Sequence, residues 1–257
     1  MRKAASRTSA TTTAAKSAAK SAARSAAKSA ATAASARGRF ITFEGGEGAG
    51  KSTQIKSLAD RLAEANIRAV TTREPGGSPG AEIMRHLVLS GVGKVLGADL
   101  ETLLFAAARA DHVKLVIEPS LARGVWVLCD RFSDSTRVYQ GSVGRVDPML
   151  IEALDRVTID GLRPDLTLVL DVPVGIGLAR AAQRRGDAEP DRFESEDVAF
   201  HEKLREGFRA LTESDPERCV LVDANADADT VASRVWQAVQ ARFPELARKK
   251  RRVKERL

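Results

Sequence analysis

The sequence predicts an α/β fold, a three-layer sandwich whose five-stranded parallel sheet is covered by helices on both faces. Two observations carry the prediction. From residue 38 onward, short apolar β-rich runs alternate with longer amphipathic stretches, the pattern of a sheet buried on both sides. A glycine-rich turn also stands between the first strand-like run and the first helix-like run. Strands are expected at 39–44, 67–72, 125–129, 166–171 and 218–222, and helices at 51–65, 79–90, 99–122, 148–160, 174–185, 197–213 and 228–241. In such sheets ligands gather at the carboxyl ends of the strands, and the informative residues fall there.

Phe40-Ile41-Thr42-Phe43-Glu44 reads as the first strand, and the stretch from Thr53 to Ala65 as a helix with Ile55, Leu58, Ala59 and Leu62 on one face. Between them, Gly45-Gly46-Glu47-Gly48-Ala49-Gly50-Lys51-Ser52 fits GxxxxGK[ST] in full. Strand, glycine turn and helix in that order are what a phosphate-binding loop requires. Glycines let the backbone turn its N–H groups towards phosphate oxygens, and the helix N-terminus adds partial positive charge. Lys51 would reach the β- and γ-phosphates of a nucleoside triphosphate, and the Ser52 hydroxyl would ligate Mg²⁺.

The second strand runs into Thr72-Arg73-Glu74-Pro75-Gly76-Gly77-Ser78. Arg73 sits where the strand releases into the turn, either as a cation for a second substrate's phosphate or as the partner of a nearby acid. In the long third helix Phe105 and Arg109 are four apart and share a face. Such a pair can stack a base and bond its edge, though an aromatic at helical spacing also serves as core. The third strand ends in Cys129-Asp130-Arg131. A carboxylate there can hold Mg²⁺ or its waters, and Arg131 can bridge two phosphates. Ser133, Ser135, Thr136, Tyr139 and Gln140 follow as polar groups on the start of a helix, with Gly141-Ser142-Val143-Gly144 as a turn. The charged stretch around 184–196, broken by Gly186 and Pro190, suits a lid carrying arginines over phosphates, or a solvated loop.

The net charge of +7 is unevenly placed. Residues 1–37 carry eight basic residues and no acid, residues 248–257 carry seven basic residues and one acid, and the middle holds 26 basic and 33 acidic residues, a net of −7. A nucleic-acid footprint on the domain itself is therefore not expected. The alanine- and serine-rich N-terminal tail (1–37) should be disordered, flanking a domain over 38–243 and a basic tail over 244–257. A solvated extension, an organellar address and a weak nucleic-acid contact are all open to the tails. No apolar run is long enough to span a membrane. Cys129 and Cys219 lack metal or redox spacing and read as reduced core thiols, so a cytoplasmic location is expected.

Together the motifs resemble the thymidylate kinase family of P-loop nucleoside monophosphate kinases over about residues 38–243. The resemblance rests on the run Phe43 to Thr53, on Thr72-Arg73-Glu74-Pro75-Gly76-Gly77, on Leu104-Phe105 with Arg109, on Asp130-Arg131 with Tyr139-Gln140-Gly141, and on Asp191-Arg192-Phe193-Glu194. It implies transfer of the γ-phosphoryl of ATP, with Mg²⁺, to dTMP. It implies that Gly45 through Thr53 and Arg192 bind ATP, and that Ser52 and Asp130 hold the metal. It implies that Phe105 stacks on thymine, Arg109 bonds its edge, and Arg73 and Arg131 hold the dTMP phosphate. Tyr139 would sit by the deoxyribose, Thr136 and Gln140 by base or sugar, and Glu47 near the 3′-hydroxyl or the magnesium shell. The loop holds no arginine whereas the lid has Arg184, Arg185 and Arg192, so the chain resembles the lid-arginine type, with Arg185 the first candidate. The family also implies a homodimer. Another nucleoside monophosphate kinase and a nucleic-acid-stimulated ATPase are the alternative readings.

Overall fold

Every residue of the first strand, β1 (Phe40–Glu44), is buried, and this follows from its place at the middle of the sheet. The computed structural model describes residues 37–90, 92–190 and 192–246. The fold is carried by the unit that begins at Gly38. Apart from Arg37, the N-terminal tail lies outside the described residues, as do the basic run from 248 and Asp191 of the lid.

The strands are β1, β2 (Ala69–Arg73), β3 (Trp126–Asp130), β4 (Leu166–Asp171) and β5 (Cys219–Asp223). They pair in the order β2-β3-β1-β4-β5, all parallel. Side chains of β1 alternate between the two layers. Ile41 and Phe43 pack under α1 (Lys51–Glu64) with Leu58 and Leu62, in the same cluster as Val235 and Val239. Phe40 packs on the opposite side with Val113, Ile117 and Phe132. The expected sandwich is the observed one.

The remaining helices are α2 (Pro79–Leu89), α3 (Val92–His112), α4 (Glu118–Ala122), α5 (Ser133–Thr136), α6 (Pro148–Thr158), α7 (Val174–Arg185), α8 (Val198–Ser214) and α9 (Ala228–Arg242). Three differences from expectation matter. Helix α3 starts earlier than residue 99 and is interrupted at Gly97, whose φ of 81° is not helical. The expected turn at Gly141–Gly144 is mostly helical, because α5 continues as a π-helical segment over Arg137–Val143. Val138 and Tyr139 are buried there against Leu204 and Phe208, and that packing outweighs the poor helix propensity of glycine and serine. The C-terminal tail begins later than residue 244, since Leu246 joins the core and Glu245 pairs with Arg39. Both cysteines are buried and unpaired, as expected. Among the described residues no helix is long and apolar enough to cross a membrane.

Candidate active site

The strand register builds the site. Parallel pairing places Phe43 level with Asp130, and Asp130 level with Arg73. The residues that follow, from three neighbouring strands, therefore converge on one cleft of about 340 Å³ at the carboxyl edge of the sheet.

The glycine loop forms one wall. Helix α1 starts from Gly50 with no side chain capping it, so its first N–H groups and its dipole are presented to the loop. Gly48 has φ +63°, and a Cβ there would stand 1.9 Å from the Gly177 carbonyl oxygen, so only glycine fits. Lys51 is buried, and its Nζ donates to the carbonyls of Gly45 (3.1 Å) and Gly46 (2.9 Å). Burial and the Arg131 charge push its pKa down, while Glu47, Asp130 and Glu44 pull it back. Ser52 Oγ donates to Asp130 Oδ2 at 2.8 Å. Among the described residues no group of three or more His, Cys, Asp or Glu is placed to cage a metal. One hydroxyl and one carboxylate on an open cleft instead fit Mg²⁺, which takes few protein oxygens and leaves room for water and phosphate.

Arg131 stands at the centre. Its φ of +68° lies in the left-handed region, a strained choice for arginine that turns the chain abruptly out of β3. The backbone is held there by Arg131 N–H donating to Phe43 O at 2.9 Å. Its guanidinium donates to Glu47 Oε1 (2.7 Å), Gly45 O (3.1 Å) and Ser135 Oγ (3.3 Å), and lies 5.0 Å from the centre of the Tyr139 ring. Burial opposes the Arg131 charge, yet Tyr139, Glu47, Asp130 and Glu44 together raise its pKa, so it stays a cation. Burial pushes Glu47 up as well, but Arg131, Lys51, Arg184 and His201 outweigh it and hold this carboxyl at about 2.

Beneath Arg131 lies Glu44, fully buried, accepting from Phe132 N–H (2.8 Å) and Ser135 Oγ (2.6 Å). Burial, with Asp134 nearby, pushes its carboxyl up to about 7. The folded chain thus binds a proton between about 4.5 and about 7 that the unfolded chain releases, so stability falls as pH rises through that window. Glu44→Gln is expected to gain stability relative to the parent as pH rises from about 4.5 to about 7, read by urea unfolding. Parallel pH profiles of the two proteins contradict this.

The far end of the cleft is lined by Phe105, Arg109, Thr136 and Gln140. Arg109 is buried, donating from Nε to Glu74 Oε2 (2.8 Å) and from NH2 to Thr136 Oγ1 (2.9 Å). Gln140 donates to Glu101 at 2.9 Å. Arg73 also lines the cleft and at the same time pairs with Glu82 (3.0 Å), so both readings of it describe the same side chain.

The lid arginines separate. Arg184 lines the cleft with Phe193 and Glu194, and its charge reaches Glu47. Arg184 and Arg185 both pair with Glu194, at 3.0 and 2.9 Å, but Arg185 does not line the cleft. Arg192 pairs with Glu101 and lies over the Phe193 ring rather than along the glycine loop. Phe193 itself stands near Phe105, 6.4 Å away, and edge-on to Tyr139 at 5.3 Å. Glu44, Glu74, Ser135 and Arg85 were given no role by sequence reasoning, and the structure places the last three on the cleft wall. For Glu44 a signal existed: a carboxylate ending an apolar strand just before a glycine loop.

The sequence matches the family model described as thymidylate kinase over residues 43–235. It is 69% identical over 208 residues to a thymidylate kinase of Nitrobacter winogradskyi, covering 81% of this chain and 90% of that protein. It is 68% identical over 210 residues to one of Bradyrhizobium diazoefficiens, covering 82% and 92%. The fold is also similar to the crystal structure of thymidylate kinase from Ehrlichia chaffeensis, with a TM-score of 0.65 and 33% identity, over 79% of this chain and all of that one.

Proposed function

This chain belongs to the thymidylate kinase family and phosphorylates dTMP to dTDP with ATP, and we propose that it does so with the residues gathered in the cleft, each in the role given below. The observation that carries the proposal is the convergence of the glycine loop, Asp130, Arg131 and Arg109 on one cleft from separate parts of the chain.

ATP lies along Gly45 to Thr53, with Lys51 on its β- and γ-phosphates. Ser52 and Asp130 would hold Mg²⁺, which would supply positive charge to the phosphates. Arg73 and Arg131 hold the dTMP phosphate, so that its oxygen faces the γ-phosphorus in line. That oxygen is ionised at neutral pH and needs no general base, so catalysis rests on positioning and charge neutralisation. Glu47, ionised across the working pH range, anchors Arg131 and faces the sugar with Tyr139. Phe105 stacks the base, Arg109 bonds its edge, and Thr136 and Gln140 complete its pocket.

The lid contributes the remaining cation. Both Arg184 and Arg185 pair with Glu194, and Arg184, the one of the two that lines the cleft, acts on the transferring group. Arg192 reaches ATP only if its pairing with Glu101 is exchanged. Closure excludes water, which would otherwise accept the phosphoryl group. We place the enzyme in the cytoplasm, in keeping with two buried free thiols, and as a homodimer, whose contact would cover the exposed Ile83, Leu100, Leu103 and Leu115. The basic tails would add a weak contact with nucleic acid.

The metal role is tested with Ser52→Ala. The Mg²⁺ concentration giving half-maximal rate is expected to rise by roughly tenfold, the loss of one of two protein ligands. An unchanged Mg²⁺ dependence contradicts the assignment.

A further inference from the structure

Arg109 does not orient itself. A buried chain of side chains links it to strand β2 through Glu74 on the cleft wall: Thr72 Oγ1 lies 2.7 Å from His112 Nε2, His112 Nδ1 lies 3.0 Å from Glu74 Oε1, and Glu74 Oε2 accepts from Arg109 Nε at 2.8 Å. His112, Glu74 and Arg109 are all nearly inaccessible, at 0%, 5% and 3% side-chain exposure. We propose that His112 is a positioning residue for dTMP recognition: it fixes the Glu74 carboxylate, which in turn fixes the plane of the Arg109 guanidinium against the base.

The local structure is built for this chain. Arg109 and His112 are three apart on α3 and share one face, so each meets a different oxygen of the same carboxylate. Glu74 is the first residue beyond β2, and Thr72 lies two residues before it on that strand. A Cβ at Gly77, whose φ is +87°, would stand 2.5 Å from Thr72 Oγ1 and 2.6 Å from His112 Nε2, so the turn can pass over this contact only as glycine. With Nδ1–H donating to the Glu74 carboxylate, Nε2 accepts from the Thr72 hydroxyl. Each link sets the next, from strand β2 to the cleft. Arg109 NH2 is also held by Thr136 Oγ1 and the Phe132 carbonyl (3.4 Å) and NH1 faces Asp155 at 3.9 Å, whereas Nε is held by Glu74, so loss of the Glu74 link would free that corner of the guanidinium.

This inference rests on the reading that Arg109 bonds the base. It predicts a selective effect on the acceptor, because ATP binds at the glycine loop and touches none of the four residues. The discriminating variants are His112→Asn and His112→Gln in the full chain, since the amide of Asn can replace Nδ1 and that of Gln can replace Nε2. His112→Gln keeps the Thr72 contact and loses the Glu74 contact. It is expected to raise KM for dTMP by about tenfold with KM for ATP unchanged, the scale of losing a positioning partner. His112→Asn keeps the Glu74 contact and is expected to stay within about threefold for both substrates, well inside the loss assigned to a missing partner. Equal effects of the two variants, or parallel changes in both KM values, overturn the proposal and leave His112 as core. Arg109→Gln serves as the control: if it leaves KM for dTMP unchanged, the base-edge reading itself fails, whatever the His112 variants do.

Discussion

Lys51→Ala lowers kcat/KM for dTMP phosphorylation by on the order of 10²-fold or more, the scale of removing one preorganised charge contact. The expectation follows from where the ammonium is held. Lys51 is buried, 8% exposed, with Nζ tied to two carbonyls of the loop that is to wrap the phosphates. The cation is therefore in place before the nucleotide arrives, and little reorganisation accompanies phosphoryl transfer. Burial and Arg131 lower its pKa, and Glu47, Asp130 and Glu44 oppose that shift. An alanine removes the charge and leaves Gly45 and Gly46 carbonyls facing the phosphates, where oxygen repels oxygen. Steady-state kinetics with both substrates varied check this, and a variant within threefold of the parent contradicts it.

Arg131→Ala is expected to cost as much, on the order of 10²-fold or more in kcat/KM, for a different reason. This guanidinium ties Gly45 and Glu47 of the glycine loop to Ser135 of α5, joining two separate segments. Its removal takes away a cation at the junction of the two substrates and releases Glu47 from its largest favourable charge. Arg131→Lys should recover only part of the loss, because a single ammonium cannot make these forked contacts at once. Thermal unfolding of each variant separates loss of fold from loss of chemistry. An Arg131→Ala enzyme that folds and works within threefold of the parent contradicts the role assigned here.

What the sequence revealed was local. Strand, glycine loop and helix at 40–64 are contiguous, and each residue's chemistry is set by its neighbours, so Lys51 and Ser52 were legible at once. Asp130 and Arg131 were legible because a strand of apolar residues ends on them in a parallel sheet. Contacts across the chain were not. Glu74 lies 35 residues from Arg109 and 38 from His112, and no periodicity connects them. Adjacent arginines on a helix point about 100° apart, so Arg184 and Arg185 could be told apart only once the phase of α7 was fixed. Gly141 and Ser142 favour a turn at 141–144, whereas burial of Val138, Tyr139 and Gln140 holds Arg137–Val143 helical. Tertiary packing overrode propensity there, and it is also what brings Tyr139 to Glu47.

The most direct test is ADP release by the full chain with ATP and Mg²⁺, with and without dTMP, and again with nucleic acid in place of dTMP. The account predicts turnover that depends strongly on dTMP and is indifferent to nucleic acid. ATP hydrolysis indifferent to dTMP, and raised by nucleic acid, would contradict it: the phosphate loop would be read correctly and the acceptor end of the cleft would not.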